Sequence, residues 1–134
     1  MKKFLSAAMV VLVVAFTANI CAANSYDRDP NYKQIYSHQD SQEYLYLPSI
    51  RVQEYNPPHY QITFNSVSVN SNTQRESWSY NRMKFNWDTK EVFVYNNGSW
   101  IKLGVDGNYG TATRNRFFAD VLFRAAYGMD FYGY

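Results

Sequence analysis

Residues 91–102 read EVFVYNNGSWIK, and this stretch decides the fold. Asn97-Gly98 separates two short runs of apolar and aromatic residues that have strand character. Both residues tolerate the positive φ angles of a type I′ turn, whose twist matches that of the flanking strands. The stretch therefore predicts a β-hairpin. Asp88-Thr89-Lys90 turns the chain just before it, so that the strand ending near Trp87 completes an antiparallel meander.

Further strands are predicted on either side of Asn56-Pro57-Pro58. Two successive prolines remove two backbone donors, so this tripeptide marks a corner or an edge of the sheet. Upstream of it, residues 44–47 form a short strand that stops at a tight turn, Pro48-Ser49, and residues 50–52 resume the strand in alternation.

Two predicted strands change the parity of their apolar residues midway. After the corner these residues are Tyr60, Ile62 and Phe64, then Val67 and Val69. In the next strand they are Trp78 and Tyr80, then Met83, Phe85 and Trp87. Because a parity change sends side chains to the other face, we expect a β-bulge or bend near Asn65–Ser66. Near Asn81 we expect either a second bend or a strand that is covered on both faces.

A helix is predicted from an N-cap at Thr111 or Thr113 to Gly128 as the residue that ends it. Its apolar stripe has helical spacing and should pack on the sheet. The stripe consists of Phe117, Phe118, Val121, Leu122, Ala125 and Ala126. The predicted fold class is α+β, with a single antiparallel β-sheet of about five strands, a meander with bends, packed against one C-terminal amphipathic helix.

The opposite side of this helix is the candidate partner-binding surface. On a helical wheel Phe123 and Tyr127 lie one turn apart among charged residues, flanked by Arg116 and Arg124. Exposed rings beside arginines are typical of protein interfaces. The alternative is that the aromatic tail, residues 131–134, folds back and covers both rings.

Residues 1–23 have the pattern of a secretory signal peptide. Lys2 and Lys3 precede an apolar run at 7–18, and Cys21-Ala22-Ala23 supplies small residues for cleavage after Ala23. The apolar run is shorter than the roughly 20 residues that span a bilayer, so we expect no transmembrane segment after cleavage. Residues 24–42 form a polar N-terminal arm, loosely ordered, with a helical turn around Tyr32–Tyr36. Residues 43–134 form a single α+β domain.

Charge and cysteine content exclude several classes of function. The chain has 13 basic and 11 acidic residues, and since two of the basic ones lie in the signal, the exported part is nearly neutral. Neutrality and export argue against nucleic-acid binding, which is mainly electrostatic. Cys21 is the only cysteine, so cleavage after Ala23 leaves no thiol for a disulfide or a metal site. The bends and the proline corner protect the sheet edges, which favours a monomer.

The residues that could carry catalysis do not form a recognisable motif. His38 and His59 have no metal ligands at suitable spacing, and Gly98-Ser99 belongs to the hairpin rather than to a nucleophile elbow. We therefore expect no enzyme activity, no metal and no cofactor.

Three short stretches carry a family resemblance: Tyr44–Ile50, Trp87–Val92 and Tyr95–Trp100. Over residues 43–104 the chain resembles the surface-adhesin protein E family of small exported bacterial proteins. The resemblance implies an antiparallel sheet packed on a helix, an envelope or surface location, and binding of host matrix or serum proteins in some members. The chain departs from the family in lacking a cysteine pair after the signal and in ending with a long amphipathic helix.

The sequence thus predicts an exported, non-catalytic binding domain of the bacterial cell envelope or surface, either periplasmic or extracellular. It should engage a protein partner in an adhesin-like manner, such as a host matrix or envelope protein. One alternative is a carbohydrate-binding module that uses Trp78, Trp87 or Trp100 as a flat platform. Another is an envelope-assembly or inhibitor protein.

Overall fold

A single antiparallel sheet and a C-terminal helix dominate the computed structural model, which describes residues 22–133. The strands are β1 (Tyr32–His38), β2 (Ser41–Asn56), β3 (His59–Asn70), β4 (Glu76–Asn86), β5 (Glu91–Asn96) and β6 (Ser99–Lys102). The helices are α1 (Ala22–Arg28) and α2 (Gly110–Tyr127). Each strand pairs with its neighbours in sequence, in the order β1 to β6. The predicted α+β class and the meander are confirmed, with six strands rather than about five.

Strand β1 lies in the segment that sequence patterns assigned to a loosely ordered arm. The predicted helical turn around Tyr32–Tyr36 is wrong, because these residues pair with β2 from Tyr32↔Tyr46 to His38↔Ser41. Only Ile35 of this strand is buried, which explains why no alternation of apolar residues signals it. Residues 1–21 of the predicted signal peptide lie outside the described residues, and α1 begins at Ala22.

The parity changes in β3 and β4 have a different origin from a bulge. β3 pairs with β4 without interruption from His59↔Asn86 to Val69↔Glu76. The bulge predicted near Asn65–Ser66 is therefore wrong, and β4 has no register shift near Asn81. Instead the sheet carries a core on each face. Val67 and Val69 are fully buried in a small cluster on one face, which we call the back face.

The larger core lies on the other face, the front face, between the sheet and α2. Its sheet side chains are Ile35, Leu45, Tyr60, Ile62, Phe64, Met83, Phe85 and Val92, the helix adds Ala119, Leu122 and Phe123, and the tail adds Phe131. The back-face cluster contains Tyr44, Val67 and Val69, against which Tyr26 of α1 and Tyr32 pack. Burial of apolar side chains on both faces explains why β3 does not follow a simple alternation. In β4 the front-face side chains are buried, whereas the back-face rings of Trp78 and Tyr80 are exposed.

The largest irregularity in the sheet lies in β2, at the predicted Pro48-Ser49 turn, and single-residue register shifts also occur at 34–36 in β1 and at 52–54 in β2. Tyr46 pairs with Asn65 and Arg51 pairs with Thr63, so four residues of β2 oppose one residue of β3. The Ser49 hydroxyl donates to the Tyr46 carbonyl (2.6 Å) and accepts the Asn65 backbone N–H (2.8 Å). These bonds satisfy backbone groups that the bulge would otherwise leave unpaired. The segment is therefore one bulged strand, and not two strands joined by a turn.

The predicted hairpin turn at Asn97-Gly98 is confirmed, and the predicted corner at the two prolines is a connection between strands. Asn97 and Gly98 have φ angles of 48° and 83° and connect the paired residues Asn96 and Ser99. Residues 57–58 connect β2 and β3 as a two-residue turn, flanked by the Asn56↔His59 pair.

Helix α2 ends at the predicted residue, but its N-cap and its buried face differ from the prediction. Gly128 is left-handed (φ 72°), and its N–H donates to the Arg124 carbonyl (2.8 Å). The N-cap is Tyr109 rather than Thr111 or Thr113, and its side chain makes no capping bond. Phe117, placed on the inner stripe, is 44% exposed, whereas Phe123 is fully buried. The helix is thus rotated relative to the predicted stripe.

Candidate binding site

The helix surface predicted to bind a partner is not assembled as expected. Phe123 lies at the centre of the front core, with its ring centroid 4.9 Å from Tyr60, 5.1 Å from Phe85 and 5.0 Å from Phe131. The assignment of Phe123 to an outward face is wrong, and its burial leaves no surface for a partner. The alternative, in which the tail folds back, is the one seen for Phe131.

The other three predicted residues are engaged within the chain. The Tyr127 hydroxyl donates to the carbonyls of Glu54 (2.9 Å) and Gln61 (3.2 Å), and burial raises the pKa of this phenol. Arg124 pairs with Asp130. Arg116 donates to the carbonyls of Val105 and Gly107 in the loop before α2.

The tail is pinned by polar contacts as well as by rings. The buried Asp120 carboxylate accepts the Tyr132 backbone N–H (2.6 Å), and the Tyr132 hydroxyl donates to the Lys90 carbonyl (2.7 Å). The Lys90 ammonium lies 3.3 Å from the ring centroid of Trp87, and burial lowers its pKa. Trp87 is part of the core packing, so it offers no flat platform to a sugar.

Exposed aromatic rings cluster instead on the back face, along β4. Trp78 is 49% exposed and Tyr80 is 69% exposed. The Trp78 ring lies edge-on to Tyr32 and Tyr46, at centroid distances of 6.4 and 6.2 Å. We call the two exposed residues, Trp78 and Tyr80, the aromatic strip. Trp78 and Tyr80 occupy even-numbered positions, whereas Met83 and Phe85 occupy odd-numbered ones. This change of parity was the sequence signal that β4 has aromatic or apolar side chains on both faces.

Further along β4, cations cover the rings of the β5–β6 hairpin. The Arg82 guanidinium lies 4.4 Å from the Tyr95 ring centroid, and the Lys84 ammonium lies 4.1 Å from that of Trp100. Such cation–π contacts stabilise by about 0.5–1 kcal/mol at exposed sites. Trp100 is therefore covered by basic side chains.

Half of β4 has an unpaired edge. β3 pairs with one edge of β4 along its whole length. On the other edge β5 pairs only with Met83–Asn86, and no described strand pairs with that edge at Glu76–Arg82. Glu76 to Tyr80 are all exposed. Tyr26 of α1 donates to the Glu76 carboxylate (2.7 Å) and anchors the start of this strand. An exposed strand edge carries unpaired backbone donors and acceptors that can template a further strand. The expectation that all edges are protected therefore fails for this segment.

A cleft of about 320 Å³ lies on the front face, between the sheet and the first half of α2. Its apolar wall is formed by Ile35, Phe64, Met83 and Phe118. Ligand pockets range from about 300 to 1,000 Å³, so this cleft is at the lower end of that range.

A chain of polar contacts crosses the floor of the cleft from β4 to β2. The Asn81 amide donates to the Ser66 hydroxyl (3.1 Å), and this hydroxyl donates to the Glu43 carboxylate (3.1 Å). Ser66 is buried. On the helix side, the Arg114 guanidinium lies over the Tyr36 ring, 4.7 Å from its centroid. The cleft therefore combines an apolar wall with the Glu43 carboxylate and the Arg114 guanidinium. Arg82 also lines it, but its guanidinium lies over the Tyr95 ring. This composition is suited to ligand binding and was not anticipated from the sequence.

Neither histidine lines the cleft. His38 stacks on Tyr36 with a centroid distance of 6.3 Å, and His59 is exposed at the start of β3. Within residues 22–133 no group of three His, Cys, Asp or Glu side chains could hold a metal ion. In the same range, no helix is both long and apolar enough to cross a membrane.

Comparison with known proteins assigns no relative: no family model, curated protein or solved structure matches the chain. The resemblance to the surface-adhesin protein E family therefore stays a prediction.

Proposed function

We propose that the chain is an exported, non-catalytic binding domain of the bacterial cell envelope or surface, and that a protein partner adds an extended segment to the free edge of β4. The observation that carries this proposal is the unpaired side of Glu76–Arg82 beside the exposed rings of the aromatic strip. The pattern of an export signal at 1–23 supports the location.

Strand addition uses two kinds of contact at once. Backbone hydrogen bonds along the edge supply affinity, and pockets for alternate side chains supply specificity. Because successive side chains of a strand point to opposite faces, every second side chain of an added segment would lie beside Trp78 and Tyr80. The side chains between them would lie on the front face, where Asn81 lines the cleft. The edge thus offers a distinct environment on each face.

A carbohydrate ligand is the second candidate, favoured by the exposure of Trp78 and Tyr80. Flat aromatic rings at a protein surface can stack on sugar rings, and the aromatic strip offers two such rings. In this case binding would depend on the rings and leave the backbone amides of the β4 edge unprotected.

The test begins with the purified full chain as bait against envelope extract and against host matrix proteins. The partner recovered is then titrated against the wild type, a Trp78→Ala/Tyr80→Ala double variant and a Tyr55→Ala control. Tyr55 is a matched exposed ring, 62% exposed, near the other end of the sheet. We expect the control to bind normally and the double variant to bind at least tenfold more weakly, since aromatic residues dominate interface energies.

Hydrogen exchange separates the two candidates. A partner strand should slow exchange of the amides in Glu76–Arg82 whose N–H groups point away from β3. Unchanged exchange at this edge, together with full binding by the double variant, would refute the proposed site. The mass of the exported protein should equal that of a chain that begins at Asn24. A mass that includes residues 1–23 would contradict the export proposal.

A further inference from the structure

The cleft under α2 holds two opposite charges, and among the described side chains neither forms an ion pair with the other or with a third group. Glu43 and Arg114 both line it. The ion pairs shown for residues 25–133 are Lys102–Glu91 and Arg124–Asp130, and neither of them involves the cleft. One Glu43 oxygen accepts the Ser66 hydroxyl, which leaves the second oxygen as an acceptor.

The surroundings keep these charges in place. The Ser66 hydroxyl that Glu43 accepts is itself held by the Asn81 amide, so that the carboxylate is fixed from the floor. Arg114 rests on the Tyr36 ring through cation–π contact, which leaves its N–H donors free for a planar anion. Arg114 is exposed, so the cleft can be reached from solvent.

The volume sets the size of the ligand. A cavity of about 150 Å³ holds one benzene molecule, and this cleft has about 320 Å³. There is space for one aromatic or branched side chain against Phe64, Met83 and Phe118, with a small polar backbone beside it. A ligand that fits therefore has an apolar side chain, a cationic group for Glu43 and a carboxylate for Arg114.

The geometry points to a binding site for a small zwitterion with an apolar side chain, that is, a free apolar amino acid or a dipeptide. This site goes beyond the partner surface on β4 and does not require it. The ammonium group of the ligand donates to the second oxygen of Glu43, and the carboxylate of the ligand accepts from the Arg114 guanidinium. The apolar side chain displaces water from the wall of the cleft.

Calorimetric titration of the purified full chain with L-phenylalanine and with the dipeptide Ala-Phe tests this site. N-acetyl-L-phenylalanine lacks the ammonium group, L-phenylalaninamide lacks the carboxylate, and glycine lacks the side chain. We expect saturable binding of L-phenylalanine or the dipeptide. The N-acetyl and amide derivatives should bind at least tenfold more weakly because each loses one charge-assisted hydrogen bond, and glycine because it leaves the apolar wall in contact with water.

Two variants assign each charge to its residue. Glu43→Gln keeps an acceptor for Ser66 and should weaken zwitterion binding about tenfold while leaving the N-acetyl derivative unaffected. Arg114→Gln should weaken the zwitterion similarly and leave the amide unaffected. Glu54→Gln and Arg75→Gln are charge-matched controls outside the cleft, and both should bind like the wild type.

The outcomes are decisive in both directions. Saturable binding that both cleft variants weaken, and that neither control weakens, establishes the site. Absence of saturation with L-phenylalanine and with the dipeptide up to about 10 mM, far weaker than ordinary ligand affinities, overturns the inference. Binding that is unchanged in both cleft variants also overturns it.

Discussion

Replacing Phe123 by alanine tests the packing that joins α2 to the sheet. The side chain is fully buried and contacts the rings of Tyr60, Phe85, Trp87, Tyr127 and Phe131 at centroid distances of 4.7 to 5.6 Å. Truncation of a buried Phe costs about 3–5 kcal/mol, and aromatic pairs add about 0.5–1.5 kcal/mol beyond their area. We expect a loss near 5 kcal/mol, a large part of the total stability of an average domain, about 5–15 kcal/mol.

The assay is urea denaturation followed by tryptophan fluorescence, with Trp87 as a reporter beside the deleted ring. Phe117→Ala is the matched control on the same helix, because this ring is 44% exposed and its loss should cost less than about 1 kcal/mol. Equal losses for the two variants, or a Phe123→Ala loss below about 1 kcal/mol, would refute the assignment of Phe123 to the core. A larger loss for Phe117→Ala than for Phe123→Ala would support the apolar stripe predicted from the helical wheel.

Three further predictions concern single contacts. The free energy of unfolding should fall as the pH rises from 10 towards 12, because unfolded tyrosine ionises near pH 10 whereas burial and the Asp27 hydrogen bond raise the pKa of Tyr44 to about 12. The fall should be smaller in Tyr44→Phe, and an equal fall in denaturation titrations would contradict this role. Tyr127→Phe should cost about 1 kcal/mol in urea denaturation, since its hydroxyl bonds backbone carbonyls of β2 and β3; an unchanged midpoint would show that water replaces these bonds. Gly98→Ala should cost about 1 kcal/mol, because its Cβ meets no atom within 4 Å and only the positive φ of 83° opposes it. Gly110→Ala, which also has open space and lacks a positive φ, should be neutral or stabilising, and thermal melts should order the two variants in this way.

Local backbone chemistry made several parts of the fold predictable. Asn97-Gly98 specifies a hairpin because both residues accept positive φ, and Gly128 ends α2 for the same reason. The direction of the meander follows from such turns, since a short connection leaves neighbouring strands antiparallel. These features depend on a few adjacent residues and need no knowledge of distant contacts.

The sites were less predictable, because they depend on which surfaces meet. The helical wheel showed two possible buried faces of α2. In the structure Phe123 is in the core, where its ring contacts that of Phe131 from the tail. The cleft joins residues as distant as Glu43 and Arg114, which no sequence spacing relates. The unpaired edge of β4 exists because β5 begins its pairing only at Met83↔Val94, a consequence of strand length and register.

The sequence by itself determined the Asn97-Gly98 hairpin, the end of α2 at Gly128 and the aromatic character of this protein, since these are set by local dihedral preferences and by composition. Only the tertiary structure decided that the parity change in β3 means two cores rather than a bulge, because α1 brings Tyr26 to the back face over Val67 and Val69. It also decided which helix face is buried and which strand edge stays open. Burial is a property of paired surfaces, and a surface acquires its partner only when the chain has folded.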